Sequence, residues 1–549
     1  MDVRGLRITL SFCASIVLGL AAAAPAQAAF GMTINNADPV STDAGANSDF
    51  NLAIAFTGDD SVRDLTVHLP PGLVGDPTST PLCAETQLNA DSCPAASQIG
   101  TTTTDAAILN IVPLSIPGKV YNVQPRTGEP ARLGIVLVPP VGAKVILQSA
   151  AKLRGDDFGL DTILEGIPNT ADGIPIVIKG ISLTLDGEFM RNPTSCGTKT
   201  TTADAVSYLG VAGNGSNSFD SVNCTALPFS PSFTGKVGSS GHTGAFTRPP
   251  QTTVISQDDG EAGLRTANVL LPPGVGGDND TLGMTCSVAN FEAHTCPANS
   301  IVGQAEAESP LQEEALQGPM ALVTNPQGGL PLLGLDLEGA LALQLYGALS
   351  ILPSSDGVET RVIFDNLPDI PIARFELVLL EDKLNLLGRD ICVSPPLVYN
   401  TTFTSHGDVV QSGDAQGTVE GCAPPVVDPT AKAKVRNATS NNPRLKVKVS
   451  EGSAALSEIE VNAPAQAKFK DGNIVVKADG DKLPASAVDV TKKTLTVTAP
   501  DAGVLKVKAG DGALRLKDSV KKGDQLAFSV DVTDADSNHF SLPTPAVAG

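Results

Sequence analysis

Two stretches of this chain, VHLPPGLVGDPTSTPLCAETQLNADSCPAASQIG (67–100) and VLLPPGVGGDNDTLGMTCSVANFEAHTCPANSIVG (269–303), are copies of one another. In both, an apolar start leads into Leu-Pro-Pro-Gly, and two cysteines follow with the same spacing. Cys83 and Cys286 are offset by 203 residues, and so are the second cysteines. Matching Pro, Ser and Gly positions extend the correspondence to the end of each stretch. The sequence therefore contains an internal duplication.

The duplication defines two tandem copies. Apolar residues at 133, 135 and 137 lie opposite leucines at 333, 335 and 337. We place copy 1 at residues 29–230 and copy 2 at residues 231–425. This period is far longer than that of a solenoid repeat, and each copy has the size of a domain.

Eight of the nine cysteines lie after residue 28, and their even number suggests disulfides in an exported protein. A metal site is not expected, because His294 before Cys296 has no counterpart near Cys93 in copy 1. Four cysteines still allow three connectivities in each copy, so other pairings remain open. Local pairing within each copy predicts the bonds Cys83–Cys93, Cys196–Cys224, Cys286–Cys296 and Cys392–Cys422.

Period-two alternation of apolar residues predicts strands in both copies. Phe50, Leu52, Ile54 and Phe56 alternate with small or polar residues. The apolar residues of 333–351 fall on odd positions, so period two outweighs the helical propensity of Leu and Ala. The best short helix candidate is LQEEALQ (311–317). We therefore expect an all-β chain with two tandem, disulfide-containing, sandwich-like β domains.

The C-terminal segment also alternates. Seven short apolar runs separated by Gly, Pro, Asp and Lys clusters predict an immunoglobulin-like β-sandwich over residues 426–540. Lysines between the apolar positions indicate a solvated face, with a basic binding strip as the alternative. We interpret residues 541–549 as a disordered tail.

Charge separates these regions. Residues 29–425 carry a net charge of −26, whereas residues 426–549 carry +3. An acidic body argues against nucleic acid as a partner. The chain has no Trp, which weakens the case for a carbohydrate platform of flat aromatic rings.

The N-terminus reads as a secretory signal peptide over residues 1–28. Arg4 and Arg7 precede an apolar run, and Ala26-Gln27-Ala28 predicts cleavage after Ala28. No later segment is a credible membrane span. These features predict a secreted or cell-envelope protein.

No catalytic, cofactor or metal motif occurs in the sequence. The zinc-protease, nucleophile-elbow, phosphate-loop and dinucleotide patterns are absent, and the five histidines are scattered. We expect no cofactor and a non-enzymatic structural or adhesive role outside the cell. The alternative is a binding module for an unknown extracellular glycan, lipid or protein partner. The third hypothesis is an enzyme whose site is built from loops of both copies.

A set of local motifs in copy 1 resembles a known family. The motifs are LPPGLVGDP, CPAASQIGT, VYNVQPRTGEPARLG, RNPTSCGTKTTT and CTALPFSPSF. Together they resemble an uncharacterised family of exported repeat proteins from high-GC Gram-positive bacteria. The resemblance implies a surface or extracellular role and no reaction. Copy 2 has rewritten residues 119–132 of copy 1, so we expect any ligand site to lie in copy 1 around that segment.

Overall fold

The computed structural model describes residues 30–140, 143–171, 173–354, 357–393, 396–422 and 427–549. The predicted signal peptide and its cleavage point after Ala28 lie outside these residues. The chain forms two compact units that divide between Cys422 and Ala423. The first unit contains both copies, and the second contains the C-terminal segment. The all-β prediction is confirmed.

Copy 1 forms one large antiparallel sheet. Its strands follow the order β1-β2-β11-β5-β6-β7-β8-β9-β3-β13-β14, with β10 joined to β11 and with β4 and β12 paired separately. The helix α1 spans Glu85–Asn89. The strands are β1 (Gly31–Pro39), β2 (Phe50–Thr57), β3 (Val62–His68), β4 (Val74–Gly75), β5 (Gln98–Ile108), β6 (Val112–Val123), β7 (Arg132–Leu137), β8 (Val145–Leu153), β9 (Leu160–Leu164), β10 (Thr170–Ala171), β11 (Ile174–Leu185), β12 (Met190–Arg191), β13 (Gly197–Ser207) and β14 (Ala212–Ser221).

Copy 2 repeats this topology. Its order is β27-β26-β17-β23-β22-β21-β20-β19-β24-β16-β15-β28, in which eleven strands correspond one to one with the eleven of copy 1. The helices are α2 (Asn279–Leu282) and α3 (Val288–Glu292). The strands are β15 (Ser232–Val237), β16 (Gln251–Ser256), β17 (Leu264–Leu270), β18 (Val275–Gly277), β19 (Ile301–Glu308), β20 (Leu316–Val323), β21 (Leu332–Leu337), β22 (Leu343–Ser354), β23 (Gly357–Phe364), β24 (Arg374–Leu379), β25 (Asn385–Leu387), β26 (Val398–Ser405), β27 (Val410–Gln416) and β28 (Thr418–Val419).

Each sheet curls until its end strands meet. In copy 1, the side chain of Asn217 on β14 accepts a hydrogen bond of 3.2 Å from the backbone N–H of Ala37 on β1. Gly215 permits the close approach, because a Cβ there would lie 3.0 Å from the backbone nitrogen of Ile34. Alternate side chains of the strands point into the enclosed space and form the core.

The repeated Leu-Pro-Pro-Gly motif ends a strand in both copies. β3 and β17 stop just before their proline pairs, because proline has no N–H to donate to a ladder. Gly72 and Gly274 then take positive φ values of 84° and 80°. This is the left-handed conformation that glycine adopts without a Cβ clash.

A short helical segment closed by a disulfide bond, which we call the disulfide hairpin, covers the same place on each sheet. Leu88 of α1 and Phe291 of α3 are buried beneath the bonds Cys83–Cys93 and Cys286–Cys296. The wider bonds are Cys196–Cys224 and Cys392–Cys422, so all four bonds join the cysteines that the sequence pairs locally.

The C-terminal unit is a β-sandwich of two five-stranded sheets, β29-β30-β37-β33-β34 and β35-β36-β31-β39-β40, with β32 and β38 paired separately. Buried Val, Leu, Ile, Phe and Ala fill the space between the sheets. All seven predicted runs are strands. The strands are β29 (Thr430–Arg436), β30 (Arg444–Ser450), β31 (Leu456–Asn462), β32 (Ala467–Phe469), β33 (Ile474–Ala478), β34 (Asp481–Lys482), β35 (Val488–Val490), β36 (Thr494–Ala502), β37 (Val504–Ala509), β38 (Leu514–Leu516), β39 (Gln525–Asp534) and β40 (His539–Val547).

Two local predictions were wrong. Residues 541–549 are not a disordered tail, because β40 pairs along β39 and Ala546 and Ala548 are buried in the sandwich. Residues 311–317 do not form a helix; turns and bends lead into β20 at Leu316. Among the described residues, the longest α-helices have five residues, and none is long and apolar enough to cross a membrane.

Candidate functional site

The interior of copy 2 contains an apolar cavity of about 100 Å³. Strands from both sides of the curled sheet line it with Leu, Val, Ile, Phe, Ala and Met side chains. The polar lining residues are Gln251 and Thr253, both on β16. The amide oxygen of Gln251 already accepts a hydrogen bond of 3.0 Å from Asn385. The cavity wall is therefore hydrocarbon with little free hydrogen-bonding capacity.

Strand register relates the residues around this space to their counterparts in copy 1. In copy 1, Leu185 on β11 pairs with Gly100 on β5 on one side and with Phe50 on β2 on the other. In copy 2, Leu379 on β24 pairs in the same way with Gly303 on β19 and with Gln251 on β16. A large aromatic ring in copy 1 thus corresponds to a smaller polar side chain in copy 2.

Two neighbouring positions differ in the same direction, whereas Ile181 of copy 1 corresponds to the larger Phe375 of copy 2. Two residues further along the ladders, Leu52 of copy 1 corresponds to Thr253 of copy 2. Two strands away, on β5 and β19, Thr104 corresponds to Ala307. An unfilled volume of this size costs about 2 kcal/mol of folding stability at roughly 24 cal/mol per Å³. Copy 1 shows that the same topology can fill these positions with larger side chains.

A second apolar cavity of about 110 Å³ lies between the two copies. It shares Ala307, Leu343, Pro368 and Ile372 with the first cavity, so the two spaces adjoin. Copy 1 contributes a further set of apolar side chains, among them Phe158. Of the segment 119–132, around which we expected any ligand site, only Pro130 and Ala131 line this second cavity.

A polar depression adjoins the second cavity. Ser309 and Gln312 line both spaces, and the depression is also lined by Glu308 and Glu313. The side-chain Oε1 of Gln312 is buried without a hydrogen-bond partner. Arg374 contacts the carboxylates of Glu306, Glu308 and Glu376. This end of the apolar space is therefore acidic and offers a free hydrogen-bond acceptor.

A buried carboxylate joins the copies beside these cavities. Asp369 of copy 2 is 5% exposed. It accepts hydrogen bonds from the backbone N–H groups of Thr194 and Ser195 at 3.0 and 3.1 Å. The hydroxyls of both residues also donate to it. In return, the N–H of Gly263 in copy 2 donates to the Thr194 hydroxyl oxygen at 3.0 Å.

Neither the carboxylate of copy 2 nor its partners in copy 1 recur at the matching positions of the other copy. The matching residue of copy 1 is Asn169, because Ile167 and Leu367 donate equivalent backbone hydrogen bonds two residues earlier. Counted back from Cys392, the Thr194–Ser195 pair becomes Asp390 and Ile391. The Asn-Pro-Thr-Ser-Cys motif of copy 1 therefore serves as the socket for a carboxylate that copy 2 supplies.

Ser195 and Lys199 lie as close together as a nucleophile and its base. The Lys199 ammonium donates a hydrogen bond of 2.6 Å to the Ser195 hydroxyl. Burial lowers the pKa of Lys199, although the charge of Asp369 opposes this effect. Yet Asp369 already binds the Ser195 hydroxyl and the two N–H groups that could stabilise an oxyanion. The arrangement fits a structural junction better than catalysis.

Histidines lie beside carboxylates at three places. The Nδ1 of His294 lies 2.8 Å from Asp336 and 3.4 Å from Glu338. At the equivalent left-handed position of copy 1, Asp91 pairs with Lys144. Both copies therefore anchor this hairpin through a polar side chain at the matching position, and we assign no metal to this group. The exposed group of His242, Glu381 and Asp382 and the pairing of His68 with Asp161 and Asp204 are also ion-pair clusters.

No protein-family model and no curated protein sequence matches this chain. Similar solved structures include the major pilin subunit of Bacillus cereus, at 12% identity over 37% of this chain and 64% of the pilin, with a TM-score of 0.19. The collagen-binding domain of the Erysipelothrix rhusiopathiae surface protein RspB matches at 11% identity over 59% of this chain and 94% of that domain, with a TM-score of 0.17. The Enterococcus faecalis protein ACE matches at 9% identity over 59% and 95%, also with a TM-score of 0.17. The chain spans less than two thirds of the pilin, and similarity at this level carries no argument about function.

Proposed function

We propose that this chain is a non-enzymatic structural or adhesive protein of the cell envelope or extracellular space. The observation that carries the proposal is the junction at Asp369. It joins two copies of one fold through a buried carboxylate with four protein donors. Both copies pack into one compact unit, and loss of this carboxylate would leave four buried donors without an acceptor, which destabilises the fold. The two copies thus act as one body.

The disulfides support a location outside the cytoplasm. Four intrachain bonds lie within the two copies. Such bonds persist in oxidising compartments and restrict the unfolded chain. A stapled body that keeps its shape outside the cell suits a scaffold or adhesive role. The motif resemblance of copy 1 to exported proteins of high-GC Gram-positive bacteria agrees with this proposal.

A substrate panel tests the non-enzymatic part of the proposal. The purified chain without its leader is assayed for esterase, peptidase and glycosidase turnover, beside a Ser195→Ala variant. Ser195 is the side chain whose surroundings most resemble those of a nucleophile. We expect no turnover by either protein. Turnover that Ser195→Ala abolishes would overturn the proposal.

A surface assay tests the location. Cells that produce the full chain are treated with a protease that cannot enter them, and the remaining protein is measured. We expect that the protease removes most of the protein from intact cells, or that the protein is found in the medium. Complete protection in intact cells, with digestion after lysis, would contradict an extracellular or envelope location.

The second candidate function is an extracellular ligand-binding module. The specific observation that favours it is the pair of adjoining apolar cavities in copy 2 and between the copies.

A further inference from the structure

We propose that the adjoining cavities bind one aliphatic chain, whose uncharged or cationic polar head lies at Gln312. This inference goes beyond a structural or adhesive role. The junction at Asp369 does not depend on a ligand, so either proposal can fail without the other.

The tail chemistry follows from the lining. Twenty of the twenty-two residues around the first cavity are apolar or proline, and the Gln251 oxygen is already bonded to Asn385. A sugar or a charged group placed there would lose its hydration without gaining partners. A hydrocarbon loses nothing of that kind and fills a space that copy 1 fills with its own side chains.

The shape of the space favours an extended molecule. The first cavity adjoins the second through Ala307, Leu343, Pro368 and Ile372, and the second adjoins the depression through Ser309 and Gln312. Apolar cavities of about 150 Å³ bind single aromatic rings. Two smaller spaces in series accommodate a flexible chain better than one compact ring.

The head chemistry follows from the depression. The Oε1 of Gln312 is a buried acceptor without a protein partner, so a head that donates a hydrogen bond would satisfy it once the side chain turns toward the depression. Glu308 and Glu313 place negative charge beside it, and Arg374 is already engaged by three carboxylates. An amine, hydroxyl or amide head therefore suits the depression better than a carboxylate or phosphate.

Displacement of a fluorescent apolar dye tests the proposal on the chain without its leader. The competing probes are dodecylamine, monolauroylglycerol and dodecanoate, each used below its micelle concentration at neutral pH. The absence of Trp keeps the protein's own emission low. We expect the first two probes to displace the dye at concentrations at least about tenfold lower than dodecanoate requires. No displacement by any probe would overturn the site, and equal displacement by dodecanoate would overturn the head assignment.

Cavity-filling variants locate the binding. Thr253→Leu combined with Ala307→Thr places the larger residue types of copy 1 at the matching ladder positions. We expect this double variant to lose at least about tenfold in affinity, while Thr253→Leu alone keeps or raises the thermal midpoint. Thr252→Leu, on the same strand but outside the lining, is the matched control and should bind like the parent. A filled variant that binds like the parent would overturn the proposal.

A second pair of variants tests the head position. Gln312→Leu removes the free acceptor, and we expect it to weaken dodecylamine and monolauroylglycerol while dye binding persists. Gln327→Leu, at an exposed turn, is the control with the same substitution. Loss of dye binding together with unchanged probe selectivity in Gln312→Leu would contradict the assignment of Gln312 to the head group.

Discussion

The carboxylate of Asp369 accepts a hydrogen bond of 3.0 Å from the backbone N–H of Thr194, which lies 175 residues earlier in the other copy. The pair is buried, and together with Ser195 it forms the densest polar contact between the copies. Its removal should therefore reveal how much the junction stabilises the unit.

Asp369→Ala should lower the unfolding free energy of the first unit by about 3 kcal/mol, because it leaves buried N–H and hydroxyl groups unsatisfied. Asp369→Asn should cost less, since the amide oxygen can still accept, and copy 1 has Asn169 at the matching position. Urea unfolding followed by far-UV circular dichroism measures both. Asn169→Ala is the matched control, and equal losses in Asp369→Ala and Asn169→Ala would contradict a special role for the junction.

The ion-pair cluster of His68 predicts a pH-dependent contribution to stability. Burial lowers the pKa of His68, but hydrogen bonds and charges from Asp161 and Asp204 outweigh it and raise the pKa above 6.5. Arg154 also binds Asp161, at 2.7 Å. Because the folded state holds the His68 proton more tightly than the unfolded state, the protonated imidazole stabilises the fold fully below about pH 6.5. This stabilisation is lost as the pH rises through the pKa of the folded state.

His68→Gln should therefore destabilise the first unit by about 1 kcal/mol at about pH 5.5 and by less at about pH 9. Asp204→Asn should remove part of the same pH-dependent component while keeping the imidazole. Thermal unfolding at the two pH values checks both variants. A larger penalty for His68→Gln at the higher pH would show that the sign is wrong.

Two strand glycines are required by the disulfide hairpins. A Cβ at Gly134 would lie 2.7 Å from a methyl group of Leu88, and one at Gly334 would lie 2.7 Å from the ring of Phe291. Either substitution to Ala should cost about 2 kcal/mol through overpacking. Gly413→Ala, also within a strand but with nothing near its Cβ position, is the control. The double variant Gly134→Ala with Leu88→Ala should lose less stability than the sum of the two single losses, and simple additivity would count against this contact as the cause.

The disulfide pairing is open to direct mapping. Non-reducing digestion of the chain without its leader should yield four linked peptide pairs, Cys83–Cys93, Cys196–Cys224, Cys286–Cys296 and Cys392–Cys422, and no free thiol. Each short loop closed in this way restricts the unfolded chain by about 3 kcal/mol. A bond between the copies would refute the local pairing.

Local periodicity predicted the strands well, because side-chain alternation is visible in a few consecutive residues. The alternating run from Phe50 to Phe56 became β2, and each alternating run of the C-terminal segment became a strand. Prediction of a disordered tail after residue 540 failed for a local reason. β40 is an edge strand, where Pro543 and Pro545 can leave their missing N–H groups on the unpaired side.

The cavity and the junction could not be predicted, because both depend on pairing between distant strands. The correspondence of Leu52 with Thr253 follows from ladders that pass through β11 and β24, and aligned sequence alone does not supply that register. A signal for the junction was nevertheless present. Copy 2 lacks the Thr194–Ser195 pair and replaces Asn169 with Asp369, which is the asymmetry expected where one copy binds the next.

The difference between the two interiors makes a final prediction about stability, independent of any ligand. Leu52→Thr in copy 1 should cost about 2 kcal/mol, because it removes buried hydrocarbon and buries a hydroxyl. Thr253→Leu in copy 2 should raise stability by about 1 kcal/mol, because the added methyl groups enter an existing void. Thermal midpoints of the first unit, compared with those of the outward-facing control Thr252→Leu, measure both changes. If Thr253→Leu destabilises as much as Leu52→Thr, the space in copy 2 is too small for the side chain that the matching position of copy 1 carries.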